Sequence, residues 1–142
     1  MRPRDYATSD GAGLLIVGAA TVARGISYMP GILPDATRSS HAAEALLPMA
    51  VWAAVWIATG QLCLVASVAW QGRIAALAVG CTAALYVLFG SSFILGSITG
   101  DMPRGWVSSL GYLTTASLIL WAVGRGRRKD REGVVESGEH PR

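Results

Sequence analysis

The chain has 142 residues, of which 52% are hydrophobic and only 15% are charged, and its formal net charge is +3. This length leaves room for one domain, and the charged fraction is well below the quarter or so that is typical of soluble domains. The basic residues flank long apolar segments and do not form one face of a folded domain, so we expect a membrane protein and no nucleic-acid partner. The mean hydropathy of +0.43 agrees with this expectation.

The first apolar segment covers residues 11–29 and follows a short polar segment, residues 1–10. A basic N terminus followed by a short apolar run is also typical of a secretory signal peptide. Residues 21–23 make a poor cleavage site, and further apolar segments follow, so we interpret 11–29 as a transmembrane helix. Pro30 and Pro34 are expected to end it.

The longest apolar segments are residues 46–70 and 73–98, and neither contains Asp, Glu or Lys. Each exceeds the roughly 20 residues that cross about 30 Å of hydrocarbon. We expect them to form a transmembrane hairpin that turns at residues 71–73. Cys63 and Cys81 lie at equal distances from this turn, so they form either a disulfide or redox pair or, as is usual for free cysteine, two small buried apolar residues.

A fourth apolar segment covers residues 105–123 and completes a transmembrane domain of residues 11–124. All five tryptophans lie near the ends of segments, as expected for aromatic belts at membrane interfaces. Residues 125–142 are too poor in apolar side chains to pack and are expected to be disordered. The predicted fold is therefore all-α, a compact bundle of four transmembrane helices.

The distribution of basic residues predicts the orientation of the bundle. Nine of the 12 Lys and Arg residues lie on the side of the two termini, which places both termini of the multi-pass chain in the cytoplasm. Part of this excess lies directly after the fourth segment, where it forms either a simple anchor or a site for anionic lipid headgroups, worth about 1 kcal/mol per residue. These residues are Arg125, Arg127, Arg128, Lys129 and Arg131.

Arg24 is the charge predicted to lie within a transmembrane segment, about 20 Å along it at 1.5 Å per residue. Three interpretations are open. The long side chain could extend to the membrane surface. It could form a structural ion pair with Glu44 or Asp35, which lie in or near the connection between the first two segments. It could also act in transport or gating, because charges within membranes are costly.

The remaining polar residues favour no enzyme. His41 and Glu44 share a helical face and are either ordinary interfacial residues or a pH-responsive pair, since a metal site requires more ligands. Serines such as Ser92 lack a base to activate them, because no His lies in any predicted segment. We therefore expect no catalytic residue, no metal and no cofactor.

Two series of small residues at a spacing of four allow close approach of helices in lipid. They could serve packing within the bundle or self-association of copies into a homo-oligomer. One series lies on the third segment and the other on the second: Ser92, Gly96 and Gly100, and Ala50, Ala54 and Ala58.

The sequences RGISYMPGILP at 24–34 and HAAEALLPMAVWAAVW at 41–56, four apolar segments and a basic tail together resemble the small four-span membrane proteins of actinobacteria and their phages. Some of these phage proteins are described as holins. The resemblance implies a multi-pass protein of the bacterial inner (plasma) membrane. Such a protein accumulates, self-associates and permeabilises that membrane during lysis. Two alternatives are an accessory subunit with a membrane protein partner, for example in phage exclusion, and a component of a small-solute transporter with its pocket near Arg24.

Overall fold

A computed structural model describes residues 10–29, 31–32, 41–68 and 73–138, with side chains between residues 11 and 122 of these ranges. Its described residues form four helices, which confirms the all-α prediction. The second and third helices are long enough and apolar enough to cross a membrane. The first helix is apolar but shorter. The helices are α1 (Asp10–Ser27), α2 (Met49–Val68), α3 (Arg73–Thr99) and α4 (Gly105–Gly138), and a 3₁₀ turn (Glu44–Leu46) precedes α2.

Proline and glycine set two of the helix boundaries. α2 begins directly after Pro48, whose carbonyl accepts hydrogen bonds from the backbone N–H groups of Val51 and Trp52 at 2.9 and 3.2 Å. α3 ends before Gly100, which has a φ of +84°. Glycine is favoured there because a left-handed residue commonly follows the last turn of a helix. Gly100 therefore terminates α3, although it was grouped by spacing with Ser92 and Gly96.

The α4 helix continues to Gly138, past residue 123, where the sequence predicted the apolar helix to end. The predicted disordered segment, residues 125–142, is thus helical over most of its length. Its Arg, Lys and Glu residues have high helix propensity, so a helix that has already formed can continue through them. The side chains of the predicted headgroup-binding residues lie outside the described part of the chain: Arg125, Arg127, Arg128, Lys129 and Arg131.

The helices pack mainly as two pairs, α1 with α2 and α3 with α4, while α2 and α3 contact each other less. Glycines explain this pairing. A Cβ added to Gly60 of α2 would lie 2.7 Å from the backbone nitrogen of Val22 in α1, and one on Gly105 of α4 would lie 2.6 Å from the carbonyl oxygen of Phe93 in α3. The predicted α2–α3 hairpin is therefore not the main packing unit.

An aromatic cluster joins α2, α3 and α4 to Tyr28, the residue that directly follows α1. Trp56 of α2 is fully buried and lies between Phe89 and Tyr86 of α3, with ring centroids 5.0 and 5.3 Å away. Edge-to-face pairs of this kind add to the stability that burial provides. The cluster consists of Tyr28, Trp52, Trp56, Tyr86, Phe89, Phe93 and Tyr112.

The prediction that every tryptophan belongs to an aromatic belt is wrong for Trp52 and Trp56, which are 4% and 0% exposed. Their spacing of four places both on the same face of α2, and that face points into the bundle. Trp106 and Trp121 are exposed, whereas Trp70 lies outside the described residues.

The two cysteines are free thiols in different surroundings. Cys63 is buried, and its sulfur lies 3.0 Å from the Thr82 hydroxyl, so the prediction of a small buried residue is confirmed for Cys63. It is wrong for Cys81, which is exposed. Cys81 precedes Thr82 by one residue, and one residue turns an α-helix by about 100°, away from the face that packs on α2.

Candidate functional site

A cavity of about 770 Å³ lies at the end of the bundle where the α1–α2 and α3–α4 connections meet. Its volume is typical of small-molecule sites, which usually combine apolar walls with a few polar groups. We call it the Arg24 cavity. Two arginines, two carboxylates and three aromatic rings line its wall: Arg24, Arg104, Glu44, Asp101, Tyr28, Phe93 and Tyr112.

Arg24 lies in the last turn of α1, where a cation is favoured by the helix dipole. Its guanidinium carbon lies 4.6 Å from the ring centroid of Tyr112 and 6.0 Å from that of Trp56, which are distances of cation–π contacts. The guanidinium also donates a hydrogen bond to the Tyr112 hydroxyl. The aromatic cluster therefore holds this cation at the cavity wall.

The structure brings Arg24 and Glu44 to the same cavity, as the sequence suggested for a pair. Among the described residues, however, Arg24 forms no ion pair. Its other predicted partner, Asp35, lies outside the described residues. Asp101 and Arg104 also line the cavity, and the sequence had placed them only in a tight turn. Their charge beside a predicted helix end was the signal that could have identified them.

His41 docks from the α1–α2 connection onto α3 and is only 4% exposed. Its Nδ1 lies 2.8 Å from the Ser92 hydroxyl, and its Nε2 lies 3.4 Å from a carboxylate oxygen of Glu44. The ring also packs against Phe93, with centroids 4.3 Å apart. The expectation that no base lies near a serine is therefore wrong, because the base reaches Ser92 from a connection and not from a helix.

The chain of contacts from Ser92 to His41 to Glu44 resembles that of a hydrolase triad. The surroundings of these residues nevertheless favour a structural role. The Ser92 hydroxyl also donates a hydrogen bond to the Phe89 carbonyl at 2.8 Å. Neither Ser92 nor His41 lines the Arg24 cavity, and a nucleophile must have access to a substrate. We interpret the contact as one that fixes the connection to α3.

Burial, together with the smaller effect of the positive charge of Arg24, lowers the pKa of His41 to about 4. Free histidine has a pKa near 6.5, so the docked connection favours the neutral imidazole. Docking is therefore at full strength above about pH 6.5 and weakens as the pH falls towards 4.

We expect Arg24→Gln to raise the pKa of His41, because it removes a positive charge that opposes protonation. NMR titration of the imidazole in detergent micelles measures this shift. Arg73→Gln is the matched control, since Arg73 begins α3 at the opposite end of the bundle. A His41 pKa that stays constant in Arg24→Gln, or that rises equally in both variants, would contradict the assignment.

Two of the three small residues on α3 contact other parts of the same chain. Ser92 is buried and contacts His41. A Cβ added to Gly96 would lie 3.5 Å from the Met102 side chain. This placement favours packing within one chain over self-association for that series. On α2, by contrast, all members of the other series are exposed: Ala50, Ala54 and Ala58.

Comparison with known proteins gives no match to any family model, curated protein or solved structure. We therefore infer the function from the geometry of the Arg24 cavity and from the distribution of apolar and polar residues. Both can be tested directly by substitution.

Proposed function

We propose that the chain is a non-enzymatic, multi-pass protein of a bacterial inner membrane, with α1 to α4 as its spans and both termini in the cytoplasm. Two helices of sufficient length and hydropathy support this proposal. Large apolar side chains such as Val68 and Ile98 are exposed, while the hydroxyls of Thr21 and Thr82 are buried. Apolar groups outside and polar groups inside suit a bundle in lipid. A reporter fused to residue 142 should be active in the cytoplasm, and activity outside the cell would overturn this orientation.

Within this bundle, we propose that the Arg24 cavity binds the acidic group of a small solute. One observation carries the proposal: the Arg24 guanidinium lies on a cavity wall without a carboxylate partner among the described residues. Arg24 is exposed, so a ligand in the cavity can reach it. Arginine matches carboxylate and phosphate groups with two parallel hydrogen bonds, so an acidic ligand would supply an anionic partner.

Arg24→Gln is expected to weaken the binding of an acidic probe by at least about tenfold, the effect of one charge-assisted hydrogen bond. We suggest 3-phenylpropionate as the probe, since it combines a carboxylate with a ring that suits the aromatic wall. Isothermal titration calorimetry of the full chain in detergent measures the affinity. Arg73→Gln should bind like the wild type. No binding by the wild type, or equal binding by Arg24→Gln, would contradict the proposal.

Holin-like permeabilisation, which the resemblance implies, is a second candidate. The exposed series Ala50, Ala54 and Ala58 on α2 favours it, because such a surface allows a second copy to approach closely in lipid. Induced expression in a bacterial host should then admit a membrane-impermeant dye, and Ala54→Leu should reduce dye entry. A membrane that stays sealed at high expression would exclude this function.

A further inference from the structure

Gln61 carries the only side-chain amide in the four described helices, and it is exposed on the outside of α2. At 1.5 Å per residue it lies roughly 4 Å from the midpoint of α2, well inside a hydrocarbon layer of about 30 Å. No residue that the structure describes forms a hydrogen bond with its side chain. An amide without a partner is unfavourable in hydrocarbon, so a partner from another molecule is favoured.

The surface of α2 around Gln61 consists of small side chains. Ala54 precedes Gln61 by seven residues, which is about two helical turns, so both lie on the same side of the helix. Ala50 and Ala58 lie on this side as well, and all three alanines are exposed. We call these four residues the α2 outward surface. Small residues let two helices approach closely in lipid, and close approach brings polar side chains of the two helices within hydrogen-bond distance.

Much of α2 is left uncovered by its own chain. Only 33% of its apolar stretch is buried, and the buried Trp52 and Trp56 lie on the side that faces the aromatic cluster. The α2 outward surface lies on the opposite side, so it faces either lipid or another protein.

A second copy of the chain suits this surface. Two copies inserted in the same orientation are related by a two-fold axis along the membrane normal, so the same residues of their α2 helices meet at the same depth. A glutamine amide has both donors and an acceptor. Each Gln61 can therefore donate an N–H group to the carbonyl oxygen of Gln61 in the other copy, a contact that a lipid chain cannot provide.

The α3 helix has a competing series of small residues. Ala76, Gly80 and Ala84 are exposed, and a Cβ on Gly80 would meet no atom within 4 Å. This series contains no side-chain amide, and the exposed Cys81 beside it is only a weak hydrogen-bonding group. The observations therefore favour α2 over α3 as the surface of contact.

We propose that two copies of the chain associate in the membrane through their α2 outward surfaces, with the two Gln61 side chains joined by reciprocal hydrogen bonds. This inference rests on the proposed multi-pass placement of the chain and adds its partner, a second copy. It does not require acid binding, because no residue of the α2 outward surface lines the Arg24 cavity.

FRET between copies that carry a donor or an acceptor fluorescent protein after residue 142 measures the association. The full chain is reconstituted in phosphatidylcholine liposomes and diluted with lipid. We expect Gln61→Leu to weaken association at least about fivefold, the effect of a hydrogen bond between helices in a membrane. Gln61→Asn keeps an amide and should weaken association less. Ala54→Leu should weaken it by blocking close approach, whereas Ala84→Leu, the matched control on α3, should associate like the wild type.

Disulfide cross-linking in the same liposomes, with copper phenanthroline as the oxidant, identifies the helix at the interface. A disulfide requires Cα atoms within about 7 Å of each other. A chain with Ala54→Cys and Cys81→Ala should form a cross-linked dimer. The wild type, whose exposed cysteine is Cys81 on α3, should not. Cross-linking of the wild type alone would place the interface on α3 and overturn the proposal.

The proposed placement and this association can fail separately. A cytoplasmic reporter at residue 142 together with no FRET, or with equal FRET in Gln61→Leu and the wild type, would exclude the α2 pair and leave the multi-pass placement standing. A chain that is soluble and monodisperse without detergent would exclude both.

Discussion

Replacing Trp56 with alanine should destabilise the protein more than any other single truncation in the described core, by about 3–5 kcal/mol. The indole is fully buried and contacts rings from the other three helices or their ends: Tyr28, Tyr86, Phe89 and Tyr112. Its removal leaves a void that this many fixed rings cannot fill. Unfolding of the purified protein by SDS titration, followed by circular dichroism, measures the loss.

Two further substitutions test the cause of this loss. Trp106 is 54% exposed, so Trp106→Ala should change the free energy of unfolding by less than about 0.5 kcal/mol. The Trp56 indole N–H has no acceptor among the described residues, so Trp56→Phe removes no hydrogen bond. It should cost less than Trp56→Ala, because the phenyl ring fills part of the void. Equal losses in Trp56→Ala and Trp106→Ala would mean that the aromatic cluster does not form the core.

Gly60→Ala is expected to destabilise the α1–α2 pair by about 1–3 kcal/mol, the usual effect of overpacking. The added Cβ would lie 2.7 Å from the Val22 nitrogen and 2.9 Å from the Gly18 carbonyl oxygen. Both are backbone atoms, so α1 must move as a whole to relieve the contact. Thermal unfolding in detergent, followed by circular dichroism, measures the effect.

Gly80→Ala provides the matched control for Gly60→Ala. A Cβ on Gly80 of α3 would meet no atom within 4 Å, and alanine is favoured over glycine within a helix by about 1 kcal/mol. Gly80→Ala should therefore raise the unfolding temperature, while Gly60→Ala lowers it. A rise in both variants would show that α1 and α2 do not pack through Gly60.

Much of the secondary structure could be predicted from local features. Each of the four apolar segments corresponds to a helix. Long apolar stretches that are bounded by prolines, glycines and charged residues favour helices. Pro48 starts α2 and Gly100 follows the end of α3, as their backbone preferences require. The exception is α4, whose charged C-terminal part forms helix although its composition indicated disorder.

The face that each helix buries was harder to predict. The hydrophobic residues of α2 and α3 are distributed around the whole helix, so their spacing indicates no buried side. For this reason the burial of Trp56 and the exposure of Cys81 could not be read from the pattern. The close contacts of Gly60 with α1 likewise depend on which helices are neighbours.

For the candidate site, the sequence pattern indicates single charged groups but not their arrangement. Arg24 and Glu44 stood out because charges are rare in this chain, and rarity is visible residue by residue. His41 contacts Ser92, which is far from it in sequence. Asp101 and Arg104 likewise line the same cavity as the distant Arg24. Local composition and backbone preference thus specify an all-α chain with its helix ends, while contacts between distant side chains, which arise only when the helices pack, create the aromatic cluster and the Arg24 cavity.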